Sequence, residues 1–168
     1  MVRIIRIAII SALVLLHVAF GIPGWLHPGQ GSYLLRAATY SFFHASWWHL
    51  AVNCLAVWTI FDPKRGCKPC RDLIFPFIIA MAVYPLALRP VVGFSNILYA
   101  VLGIRTPSLR SRWWRQWPVA LFLAVTVAMV FVPTFSATTH IASFALGVAA
   151  AAAGRSLKPL LDDVRRYL

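Results

Sequence analysis

The chain has 168 residues, 61% of them hydrophobic and only 12% charged, with a mean hydropathy of +0.77. That balance excludes an ordinary soluble domain and reads as an integral membrane protein with room for a single domain. The net charge of +12 does not point to nucleic acid, because the basic residues stand in short clusters between apolar runs rather than along one stripe.

Apolar runs over 4–20, 37–61, 73–88, 91–104, 117–133 and 137–154 predict six membrane spans, the third and fourth both short. With the amino terminus in the cytoplasm, all of the 16 basic residues except Arg36 and Arg89 lie on the cytoplasmic side. The positive-inside rule therefore puts both termini there, with a bacterial inner membrane as the expected location. Trp113, Trp114 and Trp117 follow the basic cluster begun by Arg105 and fit an aromatic belt at the inner interface.

The first span follows Arg3 and Arg6. Its long apolar core, with no small-x-small cleavage site at Gly21-Ile22-Pro23, reads as a retained span rather than a signal peptide. His17 within it reads as an interfacial residue. Residues 21–36 form an external loop broken by Pro23 and Pro28, with Trp25 and Tyr33 as interface anchors.

The second span is the most polar. His49 and Asn53 stand four apart and share a helix face, whereas His44 lies nearer the outer end at another azimuth. Histidines spaced by five do not converge on a metal, Asn is a poor zinc ligand, and no carboxylate is near, so neither a metal site nor a cofactor is expected. The four acids, Asp62, Asp72, Asp162 and Asp163, all fall on the cytoplasmic side. Acid–base chemistry in the outer half therefore has to run on histidine without a carboxylate partner. Cys67 and Cys70 cannot complete a tetrahedral zinc site within one chain, and Cys54 reads as apolar filling.

The fourth span, 91–104, is shorter than the ~20 residues a lipid-exposed helix requires, so protein must surround it. Ser95 and Tyr99 share a face that Gly103 extends, and Ser95 is expected about one turn into the span. The competing reading makes Ser95 and Asn96 simple helix caps after Pro90. The last span places His140 about one turn below the outer surface, at the depth of Ser95, with Ser143 and Gly147 as a small-residue stripe beneath it. Polar groups at membrane depth are costly and converge on functional sites, and these spans bring several to one level.

On these residues the chain resembles the rhomboid intramembrane serine proteases in their minimal six-span form. The resemblance is carried by His44-(four residues)-His49-(three residues)-Asn53, by Gly93-Phe94-Ser95 with Tyr99 and Gly103, and by His140 with Gly147. It implies an all-α six-transmembrane-helix bundle with a short central fourth helix. It further implies Ser95 as nucleophile, His140 as general base, and an oxyanion hole formed by His49, Asn53 and the Ser95 backbone N–H. Tyr99 would stack on His140, while His44, Gly93, Gly103 and Gly147 support the site. The implied substrates are membrane proteins in the lipid bilayer, cut in or near their transmembrane segments.

The chain departs from the family pattern in two places beside the site. Asn96 stands where the pattern has glycine, and its amide is expected to find a backbone carbonyl or a water. Ser143 also replaces a usual glycine, which predicts a slightly wider spacing of the fourth and sixth helices. Two other functions fit the same polar spans: a catalytically inactive relative that binds or escorts membrane proteins, and a small transporter.

Overall fold

A computed structural model describes residues 2–27, 30–61, 70–87, 92–106, 124 and 136–164. The expected fifth span apart from residue 124, its neighbouring tryptophans, Cys67 and Arg89 lie outside the described residues. The helices are α1 (Val2–Phe20), α2 (Tyr33–Thr39), α3 (Trp47–Ile60), α4 (Phe75–Val83), α5 (Ser95–Arg105) and α6 (Ala137–Val164). Among the described residues, two stretches, Val2–Phe20 and Ala137–Ser156, are long and apolar enough to cross a membrane.

The run 37–61 is not one helix. After α2 the chain tightens into a 3-10 turn at Tyr40–Phe42, and extended backbone follows at Phe43. Ser46, also extended, caps α3, its side chain accepting the His49 N–H at 3.2 Å. A serine that satisfies an orphan N–H of the first turn starts a helix more effectively than the apolar residues before it can prolong one. His44 therefore sits on the connecting segment rather than on the helix that carries His49 and Asn53.

The next two spans also start differently from the expectation. A wide π turn over Cys70–Ile74 leads into α4, where Pro76, lacking an N–H, occupies the first turn. Helix α5 starts at Ser95, so Ser95 is the first helical residue rather than one turn in. This helix has 11 residues, about 16 Å of rise, and every one of them is buried. A helix enclosed by protein on all sides has no lipid thickness to match, which is why so short an element is tolerated.

Contacts fix the helix directions. Ser95 meets His140 at one end of α5, and Gly103 meets Gly147 towards the other, so α5 and α6 run parallel. His49 lies against Gly93 and the Ile60 carbonyl meets Arg105, so α3 runs with them. In α1, Arg6 lies 3.6 Å over the Trp58 ring and His17 meets Trp47 edge-on at 4.5 Å, which makes α1 antiparallel to α3. Asp72, just before α4, pairs with Arg105 at the far end of α5, so α4 is antiparallel as well. Large apolar side chains such as Leu15, Val18, Leu55, Ile141 and Leu146 point outward, as on the lipid-facing rim of a membrane bundle.

The α5–α6 crossing is a backbone contact. A Cβ on Gly103 would collide with the Phe144 carbonyl and lie 3.0 Å from the Gly147 Cα. A Cβ on Gly147 would collide with the Ala100 carbonyl. Fully buried Ser143 does not hold the helices apart: they touch at the two glycines one turn further on, and its small side chain fits the seam.

The opposite end of α5 is anchored by charge. Arg105 Nη2 and Nε meet Asp72 Oδ2 and Oδ1 at 3.0 and 3.4 Å, and Nη1 donates to the Ile60 carbonyl at 2.6 Å. Arg71 adds a second fork to Asp72 at 2.8 and 3.0 Å. A buried pair of this kind adds little net stability, but losing one partner strands the other, at a cost of about 3–5 kcal/mol.

Gly103→Val is predicted to destabilise the bundle by about 1–3 kcal/mol, since overpacking here must push two backbones apart. Gly154→Val, where a Cβ meets nothing within 4 Å, should change little. Denaturation in detergent micelles compares the two, and equal stability of both variants would contradict the crossing described here.

Candidate active site

The site begins with a turn. Gly93 has φ of 121°, a conformation that residues with a side chain rarely adopt. It also has no room for one, because a Cβ would lie 2.6 Å from His49 Cε1 and 2.7 Å from His49 Nε2. The turn thus brings the His49 imidazole against the backbone two residues before Ser95. His44 supports the same turn from behind: fully buried, it accepts the Phe94 N–H on Nε2 at 3.4 Å and meets the His49 ring edge-on at 5.2 Å.

Ser95 opens α5, and its hydroxyl does not cap the helix. Instead Ser95 Oγ lies 2.7 Å from His140 Nε2, joining residues 45 apart in sequence. The simple capping role weighed for Ser95 is thereby replaced by a side-chain pair. Both residues are largely buried, at 8% and 4% exposure. The other ring nitrogen, His140 Nδ1, is 2.6 Å from the Ser136 carbonyl oxygen. A carbonyl only accepts, so Nδ1 carries a proton in this bond, and in the neutral ring Nε2 presents its lone pair to the Ser95 hydroxyl. The Ser136 carbonyl, which also accepts from Thr139 Oγ1 at 3.0 Å, thus holds the tautomer that a carboxylate holds in a three-residue system. Tyr99, one turn after Ser95, packs its ring against the imidazole at 4.9 Å and 74°.

Two further groups on these elements have N–H donors to offer. As the first residue of α5, Ser95 has a backbone N–H with no intrahelical acceptor, at the positive end of the helix dipole. Asn53, buried on α3, gives one amide N–H to the His49 carbonyl at 2.9 Å and keeps a second.

Asn96 points away from the pair. Its Nδ2 donates to Tyr40 Oη at 3.1 Å, so its partner is a phenol rather than the backbone carbonyl or water expected from sequence. Tyr40 and Ser136 were not legible as site residues. Ser136, four residues before His140 at a helix start, carried the stronger signal, since that spacing aims a side chain at the carbonyl one turn back.

The arrangement can remove a proton from Ser95, store it on an oriented imidazole and offer N–H groups to a developing negative charge. Two comparisons with known proteins bear on it. The family model described as the Rhomboid domain matches residues 31–156, a stretch that contains every residue of the site. A search of curated proteins gives no match.

Gly93→Ala should disrupt the turn through both its backbone angle and the His49 contact. Labelling of the protein by a serine-directed fluorophosphonate is predicted to slow at least tenfold, the scale of a nucleophile displaced by a fraction of an ångström. Gly21→Ala, at φ 56° but with nothing within 4 Å, supplies the control and should label as wild type.

Proposed function

Because this chain belongs to the rhomboid family of integral membrane proteins, we propose that it is an intramembrane serine protease that hydrolyses peptide bonds in or near the transmembrane segments of other membrane proteins. The observation that carries the proposal is the 2.7 Å bond between Ser95 Oγ and His140 Nε2, with the imidazole oriented by the Ser136 carbonyl.

In the proposed reaction Ser95 Oγ attacks the scissile carbonyl as its proton passes to His140 Nε2. The resulting imidazolium keeps its Nδ1–H on the Ser136 carbonyl, a bond favourable to a cation, and stays packed against the Tyr99 ring. The tetrahedral oxyanion is proposed to take hydrogen bonds from the Ser95 backbone N–H, His49 Nε2–H and the second N–H of Asn53. Removing one such donor costs about 3–4 kcal/mol in serine hydrolases. His140 then returns the proton to the leaving amine, which frees one product and leaves an acyl ester on Ser95. Water attacks that ester, giving a proton to His140, and Ser95 regains its hydrogen as the acid departs. The substrate helix has to unwind locally, because an intact helix holds its carbonyls in hydrogen bonds.

The same reading sets the orientation. The parallel course of α3, α5 and α6 against α1 and α4 accords with alternate crossings, and the charge asymmetry favours cytoplasmic termini. The site end of the bundle then faces the exterior, from which hydrolytic water enters.

Ser95→Ala reconstituted in liposomes with a model single-span substrate should show no cleavage and an unchanged melting temperature. Cleavage at the wild-type rate by this variant would sink the proposal.

A further inference from the structure

Tyr40 lies outside the residues given a chemical role above, yet both its side chain and its backbone act on the turn that carries Ser95. It is fully buried at the 3-10 turn ahead of α3. Its phenol is 2.8 Å from the Ala80 carbonyl of α4. That carbonyl faces the phenol where α4 tightens: Tyr84 N–H donates three residues back to Met81. Pro85, which follows, has no N–H to continue the α-helical ladder. A phenol has one proton, and a carbonyl can only accept, so the proton goes to Ala80. The phenol oxygen must then receive the Asn96 amide N–H at 3.1 Å, which also fixes the orientation of that amide. Independently, the Tyr40 carbonyl accepts the Gly93 N–H at 3.1 Å.

One residue thus ties down positions 93 and 96, which bracket Ser95, and links them to α4. A tyrosine serving only to fill the core would be satisfied by Ala80 alone. Asn96 Oδ1 has no hydrogen-bond partner among the described residues, so the phenol is the contact that orients this fully buried amide. We infer that Tyr40 is a positioning residue for the nucleophile: with Asn96 it clamps the 93–96 turn so that Ser95 Oγ stays on His140 Nε2. This inference rests on the reading of Ser95 as nucleophile. In this chain Asn96 supplies the handle that Tyr40 grips.

The test uses the full chain in detergent micelles and measures fluorophosphonate labelling over a range of probe concentrations for wild type, Tyr40→Phe, Asn96→Gly and the double variant. Tyr40→Phe should lower the maximal labelling rate roughly five- to tenfold, the worth of one net hydrogen bond. The concentration giving half the maximal rate should stay unchanged. Asn96→Gly should fall by a similar factor, and the double variant no further than the lower single, because both remove the same interaction. Should Tyr40→Phe fail to fold, Asn96→Gly, which keeps the Tyr40–Ala80 bond, carries the test by the same criterion. Maximal rates equal to wild type in the folded variants, or rates that fall only in proportion to the folded fraction, would overturn the clamp while leaving the protease reading intact. A wild type that takes no label overturns that reading and the clamp with it.

Discussion

The distance between Ser95 and His140 is set by a place where two helices have no side chains. Gly103 and Gly147 let α5 and α6 meet backbone to backbone, and the parallel course of the helices carries that closeness up to the hydroxyl and the imidazole. Every other feature of the site presumes it. The Gly93 turn, the His49 ring and the Tyr99 packing all act on a serine that the glycine crossing has already brought within reach. Apolar side chains gain little from one another in lipid, so a seam of this kind, held by close packing, is a natural organising contact for a membrane bundle.

A second constraint is electrostatic. The four acids of the chain include none at the site end of the described bundle, and the His140 imidazole is oriented by a neutral carbonyl at 2.6 Å. A buried carboxylate at membrane depth would carry a large desolvation cost. The carbonyl holds the tautomer without that cost, although it stabilises the imidazolium less than a full negative charge does. Among the described residues the ion pairs sit instead at the other end of α5, where Asp72 holds Arg71 and Arg105 and secures the helix that presents the serine. Helix α5 is therefore fixed by charge at one end and by hydrogen bonds and glycine contacts at the other.

Much of this was legible in the sequence, for physical reasons. Ser95, Tyr99 and His140 stand out because polar groups in apolar runs are costly and must face protein. Gly103 and Gly147 stand out through small-residue spacing. What sequence could not supply was the set of pairings between distant segments. Tyr40 reads as one more aromatic in an apolar run until the fold brings Asn96, 56 residues away, to its phenol. Asp72 and Arg105 could be placed at the same membrane face but not recognised as partners 33 residues apart. The break at 43–46 was masked by aromatic residues that prolong the apolar pattern, and its signal was a single cap, Ser46 three residues before His49. Ser143 misled for the opposite reason: judged alone it predicts a wider crossing, whereas the glycines one turn further on decide the spacing.

The central claim is that Ser95, activated by His140, is the reactive nucleophile of this chain. Peptide mapping by mass spectrometry after reaction with a fluorophosphonate tests it most directly. The account predicts one covalent adduct, on the hydroxyl of Ser95, absent when His140 is replaced by alanine in protein that remains folded. An adduct on another residue, or an adduct on Ser95 that forms equally fast without His140, would contradict it.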